Sequence, residues 1–160
     1  MSNSWFIKFG RHVAFASILA LSLGANAGDS LYGTVTDIKS PVLNVLDYGE
    51  GKYTIRLVGL DLPKDPQLLK QGTKVVSDLI KGKRVQFRFD YRNESGEMVG
   101  RLLTLYEEKF GRKDAGETLV RAGLAVRQPG FDYKCGCLKK AEIEAKEANR
   151  GVWAAKRGAR

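Results

Sequence analysis

Between Lys83 and Tyr91 the chain reads KRVQFRFDY, with Val85, Phe87 and Phe89 on one side of the alternation and Gln86, Arg88 and Asp90 on the other. Only the two-residue period of a strand gathers three such apolar groups on one face and leaves the polar ones opposite. Four further segments have strand character: Leu31 to Ile38, Val42 to Asp47, Lys52 to Leu60 and Met98 to Tyr106. Gly49-Glu50-Gly51 predicts a hairpin between the second and third of the five, and Asn93-Glu94-Ser95-Gly96 predicts the turn before the last. Pro63 and Pro66, three residues apart, forbid regular pairing and predict a turn over Asp61–Pro66.

Helical spacing takes over elsewhere. Leu68, Val75 and Leu79, with Leu69, Val76 and Ile80 beside them, predict a helix from Gln67 to Ile80, although Gly72 costs about 1 kcal/mol relative to alanine inside it. A second helix, Ala115 to Ala122, stops at Gly123. Leu138, Ala141, Ala145, Ala148 and Val152 form one apolar stripe of a third, with Lys140/Glu144 and Glu142/Lys146 as i,i+4 pairs on its outer surface and Trp153 closing the core. Five strands, a helix after the third and two helices at the end predict a mainly β fold with α: a five-stranded OB-type Greek-key barrel plus three helices.

At the amino end, Lys8 and Arg11 precede an apolar run from Val13 to Leu23 and then Ala25-Asn26-Ala27. This predicts a signal peptide over residues 1–27, removed after Ala27, and a single domain over 28–160 that is exported to the periplasm or secreted. The run is shorter than the about 20 residues a membrane span needs, so no membrane attachment is expected after cleavage. The whole chain carries 27 Lys plus Arg against 18 Asp plus Glu, a charge of +9, and losing Lys8 and Arg11 leaves +7, a balance that favours polyanionic partners. The leader also takes His12, the one histidine of the chain. Histidine general bases, Ser-His-Asp and Cys-His catalysis and His-ligated zinc are thereby excluded from the exported protein. Cys135 and Cys137 are too few for a structural zinc site and too close for the usual C-x-x-C redox spacing, so a local staple or free thiols are expected there.

Arg56 and Arg101 each sit within an otherwise apolar strand pattern, and a buried guanidinium requires a partner. The plainer account is a salt bridge to Asp61, Asp65 or Asp90. Two planar forks on neighbouring strands beside an acidic turn also have the right shape to grip phosphate oxygens. At these residues the sequence resembles the staphylococcal nuclease (thermonuclease) family. The resemblance is carried by Thr54-Ile55-Arg56-Leu57-Val58-Gly59-Leu60-Asp61-Leu62-Pro63, by Val99-Gly100-Arg101-Leu102-Leu103-Thr104-Leu105-Tyr106, by Leu119-Val120-Arg121-Ala122-Gly123-Leu124-Ala125, and by Ala141-Glu142 leading into Gly151-Val152-Trp153. It implies an OB barrel with three helices and, in active members, calcium-dependent hydrolysis of DNA and RNA phosphodiesters.

Carried over position by position, the resemblance makes Arg56 and Arg101 the phosphate-binding arginines and Asp61 a calcium ligand. Lys64 stands where the family has its general-base glutamate, and Lys39 or Ser40 where it has a second calcium-binding aspartate. Asp65 is a substitute base within reach of a loop shift, and Asp37 a candidate for a remodelled metal site; as aspartates in turns, both also have a purely local use. Three negative charges in the family thus become a sum of plus one over Asp61, Lys39 and Lys64. Calcium takes about six to eight oxygen ligands, and a unit charge about 4 Å away is worth roughly 4 kcal/mol at an effective dielectric near 20. Three readings result. The first is a thermonuclease-fold protein that engages DNA or RNA phosphodiesters without a cofactor, its hydrolysis lost or much reduced. The second is an active nuclease using calcium or an altered metal site. The third is an interaction module using Lys81-Gly82-Lys83-Arg84 and the Lys156–Arg160 tail.

Overall fold

The computed structural model describes residues 28–49, 51–105 and 111–155. The expected signal peptide, Tyr106 and the Lys156–Arg160 tail lie outside the described residues. The elements are β1 (Ser30–Ile38), β2 (Leu43–Tyr48), β3 (Gly51–Leu57), β4 (Leu60–Asp61), α1 (Pro66–Ile80), β5 (Arg84–Arg92), β6 (Met98–Thr104), α2 (Ala115–Arg121), β7 (Val126–Arg127), α3 (Cys137–Glu147) and α4 (Val152–Ala155). Strands β1-β2-β3-β6-β5 close into the expected barrel, antiparallel except where β3 runs parallel to β6. The β2–β3 hairpin forms, with Tyr48 opposite Gly51.

The alternation of β5 does what its spacing predicts. Val85, Phe87 and Phe89 point inward and share one buried apolar core with Val35, Leu46, Ile55 and Leu102. A large apolar side chain fully buried there is worth about 1.5–3 kcal/mol. Asn44 breaks the pattern: it is fully buried and neither its Nδ2 nor its Oδ1 has a hydrogen-bond partner, a cost of about 1–3 kcal/mol. On α1, Gly72 is buried against Pro41, 3.0 Å from where a Cβ would sit. The helix accepts the glycine because its bare backbone lets the β1–β2 connection pack close.

Four expectations need correction. The third predicted strand is not continuous to Leu60. It stops at Leu57, turns through Gly59 (φ 72°), and resumes as β4, which leaves the barrel to pair with β7. The ring of Phe131 fills the space where a Gly59 side chain would be, so this turn admits no other residue without displacement. The third helix likewise ends at Glu147, because Asn149 and Gly151 adopt positive φ. Ala148 is exposed, and Val152 and Trp153 lie half-buried on the separate turn α4 rather than on a continued stripe. Trp153 meets the Lys146 ammonium 4.4 Å above its ring. Nor is Glu142 a surface residue: it is buried and faces both Lys146 and Arg127 at 3.4 Å, while Glu144 pairs with Arg121 at 2.7 Å instead of with Lys140. Gly123 does follow the α2 C-cap, at φ 68°. No helix among the described residues is long and apolar enough to cross a membrane.

Candidate nucleic-acid interface

Register decides which side chains share the outer wall of the barrel. Ile55 and Leu57 point into the core, so Arg56 between them points out, beside Val99 of β6. Arg101 lies two residues beyond Val99 and so projects from the same wall. A strand rise of about 3.3 Å and a strand spacing of about 4.8 Å put the two arginine Cα atoms about 8 Å apart. Across the other edge of β6, Arg101 is directly opposite Arg88, and Val99 is opposite Tyr91, whose side chain is 52% exposed. A one-residue bulge at Asp90 sets this register and turns Asp90 and Tyr91 both outward. The result is a row of Arg56, Arg101 and Arg88 on three adjacent strands, with an exposed aromatic ring beside it.

Each predicted phosphate-binding arginine is held by a carboxylate that the sequence did not single out. Arg56 donates from Nε to Glu97 Oε2 at 2.6 Å and from a terminal nitrogen to Oε1 at 3.2 Å, a two-pronged pair. Arg101 donates from Nε to Asp114 Oδ2 at 3.0 Å, and its guanidinium lies 3.7 Å over the ring of Tyr133. Only the Nε side of the Arg101 fork is used by Asp114, and its side chain stays 20% exposed. Asp114 also caps α2 by accepting from the Glu117 amide at 2.9 Å. Burial pushes the Asp114 carboxyl above its ordinary range, with the Glu117 amide and Arg101 drawing it partly back. Burial likewise raises Asp90, opposed by the charge of Arg101. The Tyr133 hydroxyl, buried without a hydrogen-bond partner, is raised by desolvation and by the nearby Asp114 charge.

The remaining predicted residues do not converge on one point. Asp61 is exposed at the end of β4 and accepts from Gln128 Nε2 at 3.0 Å. Lys64 is exposed in the following turn. Asp65 is engaged as the N-cap of α1, accepting from the amides of Gln67 at 2.7 Å and Leu68 at 3.4 Å. Asp37 accepts from the Ile38 amide at 2.9 Å, a local contact of the bend that ends β1. Lys39 lines a groove of about 330 Å³ with Lys52, Arg92 and Glu97, where its charge helps to hold the Glu97 carboxyl down. Among the described residues no three Asp, Glu, Cys or His side chains gather in a way that could hold a metal ion. Calcium, the ion implied by the resemblance, needs about six to eight oxygens; Asp61 with a lysine three residues on does not supply that donor set.

The family model for staphylococcal nuclease homologues matches residues 54–155. The chain belongs to that family. No curated protein matches it. The staphylococcal nuclease homology runs from β3 through α4 and so takes in Arg56, Asp61, Arg101 and the two clamping carboxylates.

Glu97 has a measurable consequence for this nuclease-family site. Its carboxyl is held below the ordinary value of 4.5 by hydrogen bonds from Arg56 first and Asn93 second. A lowered folded value means that its stabilising contribution is present above pH 4.5 and is lost as pH falls through that folded value. A phosphate arriving at Arg56 would have to compete with this carboxylate for the fork. Glu97→Gln is therefore expected to tighten any oligonucleotide binding at Arg56 by about tenfold, the worth of one charge-assisted hydrogen bond, at a stability loss of about 1 kcal/mol, since the Arg56 side of the pair is 41% exposed. Weaker binding in an equally folded variant would show that Glu97 presents Arg56 rather than masks it.

Proposed function

We propose that this nuclease-family chain is an exported protein that binds the phosphodiester backbone of DNA or RNA across the outer β3-β6-β5 wall, with hydrolysis lost or much reduced. The observation that carries the reading is the placement of Arg56 and Arg101 on one wall, about 8 Å apart by strand geometry; Lys64 stands where the resemblance implies the general-base glutamate, and among the described residues no three acidic, Cys or His side chains gather to hold a metal ion. Guanidinium forks address phosphate oxygens in pairs, and Arg88 lengthens the row in the direction a polynucleotide would take. Tyr91 offers a face for base stacking, worth about 1–3 kcal/mol per base where it is used. Attack on phosphorus requires a water oriented by a base or an ion. Lys64 is exposed, and Asp65 is occupied with the start of α1, so neither is arranged to orient it.

The test uses a fluorescent single-stranded oligonucleotide and the chain lacking residues 1–27. Anisotropy is expected to rise on binding at low salt, with affinity falling linearly in log–log form as salt increases. The same oligonucleotide is expected to remain intact with calcium and with chelator. Absence of binding at low salt defeats the binding claim. Calcium-dependent cleavage defeats the claim of lost hydrolysis and supports the active-nuclease reading, which the retention of Arg56, Arg101 and Asp61 favours.

A further inference from the structure

We propose that Cys135 and Cys137 form a thiol–disulfide exchange site that oxidises accessible dithiols. The two are joined by a disulfide across the single residue Gly136, with Cα atoms 5.2 Å apart and Gly136 at φ 66°. A ring that encloses one residue removes little freedom from the unfolded chain, so the bridge adds little to fold stability. The loop is also secured without it. The Asp132 carboxylate accepts from the amides of Tyr133, Leu138 and Lys139 at 2.7, 3.1 and 3.3 Å, and the Gly136 amide donates to the Tyr133 carbonyl at 2.8 Å. A bridge that adds little to the fold and is exposed at its Cys135 end is of the labile kind.

The two sulfurs are not equivalent. Cys135 is exposed. Cys137, the first residue of α3, is half-buried and packs against the core, so its sulfur is the less accessible of the two. Lys134, Lys139 and Lys140, all exposed, flank the pair in sequence, and the one acid of the loop, Asp132, accepts from three amides, two of them at the start of α3. These differences assign the roles. A substrate thiolate attacks Sγ of Cys135; the sulfur–sulfur bond breaks and its electron pair leaves on Sγ of Cys137 as a thiolate. The second thiolate of the substrate then attacks its own sulfur in the mixed disulfide and releases Cys135 as a thiolate. The substrate dithiol is oxidised to a disulfide by two electrons, the Cys135–Cys137 bridge is reduced to a dithiol, and the two protons of the substrate thiols go to the released thiolates or to solvent. A second small disulfide, such as oxidised glutathione, restores the bridge by the reverse exchange.

The test mixes the native chain, bridge closed, with reduced glutathione, quenches with acid and maps the adducts by mass spectrometry. Opening of the bridge under native conditions with glutathione on Cys135 is expected, together with stoichiometric oxidation of a reduced dithiol peptide. Lys139→Glu with Lys140→Glu is expected to slow opening by about tenfold, through loss of charge that steadies the departing thiolate and attracts the anionic probe. Cys135→Ser with Cys137→Ser is expected to abolish exchange while the circular dichroism spectrum and oligonucleotide binding stay unchanged. The proposal is overturned by a bridge that opens only in urea, by adducts confined to Cys137, or by collapse of the double-serine fold, which would make the bridge structural. It stands or falls independently of nucleic-acid binding.

Discussion

Arg56→Ala with Arg101→Ala is expected to reduce affinity for a single-stranded oligonucleotide by about a hundredfold or more. Each guanidinium contributes charge-assisted hydrogen bonds worth about 1.5–3 kcal/mol where a phosphate takes them. Counterion release gives an independent reading, since each phosphate contact on a single strand contributes about 0.7 to the log–log salt slope. Removing both arginines should flatten the slope by about 1.4. Alanine at position 101 also leaves Asp114 buried without its cation, so a loss of binding alone is ambiguous. Arg56→Lys with Arg101→Lys separates the causes. The charge and the salt slope are kept, but the planar fork that reaches two oxygens is lost, and affinity is expected to fall by an intermediate amount with the melting temperature little changed. Unchanged affinity and slope in the double-alanine protein, still folded, would place the polyanion elsewhere, with Lys81-Gly82-Lys83-Arg84 the next surface to neutralise.

How far these conclusions were legible in the sequence depended on the range of the interaction behind them. The period-two alternation from Val85 to Phe89 is local chemistry, and the strand it announces is present as read. The division of β3 from β4 was not legible, because Val58 and Leu60 have the same strand character as Ile55 and Leu57. What separates them is Phe131, a residue distant in sequence that packs onto Gly59. The arginines were found because a charge in an apolar alternation demands an explanation. Their partners were not, since Glu97 lies 41 residues from Arg56 and is brought to it by the parallel pairing of β3 with β6. Asp114 did carry a signal: an aspartate three residues before Glu117, at the start of a helical stretch, is a capping pattern. Its second task, holding Arg101, is set by the Leu103–Asp114 bridge of the folded chain. Glu142 misled for a related reason. An i,i+4 pair with Lys146 marks an exposed helix face only when no other element covers it, and Arg127 of β7 does.

Asp114→Ala is expected to be strongly destabilising. Its side chain is 3% exposed, and its two oxygens serve different elements: Oδ1 accepts the Glu117 amide at the start of α2, and Oδ2 accepts Arg101 Nε from β6. Loss of an N-cap costs about 1 kcal/mol, and breaking a buried ion pair by removing one partner costs about 3–5 kcal/mol. Because the two losses share one side chain, a total of about 3–4 kcal/mol is expected, a large part of the about 5–15 kcal/mol by which domains are stable. A drop of about 10 °C or more in the thermal midpoint follows, measured by circular dichroism. Asp114→Asn retains an oxygen for the cap but not the charge for Arg101 and should lie between parent and alanine. The pH dependence has a definite sign. The folded carboxyl sits above its ordinary value of 3.8, chiefly through burial, so the favourable contribution is complete below pH 3.8 and is lost as pH rises through the folded value. The deficit of Asp114→Ala relative to the parent should therefore narrow as pH rises through that range, opposite in direction to the change expected for Glu97. A melting temperature within about 1 °C of the parent would mean that α2 and β6 are joined mainly by apolar contacts, with Arg101 finding water as readily as it finds Asp114.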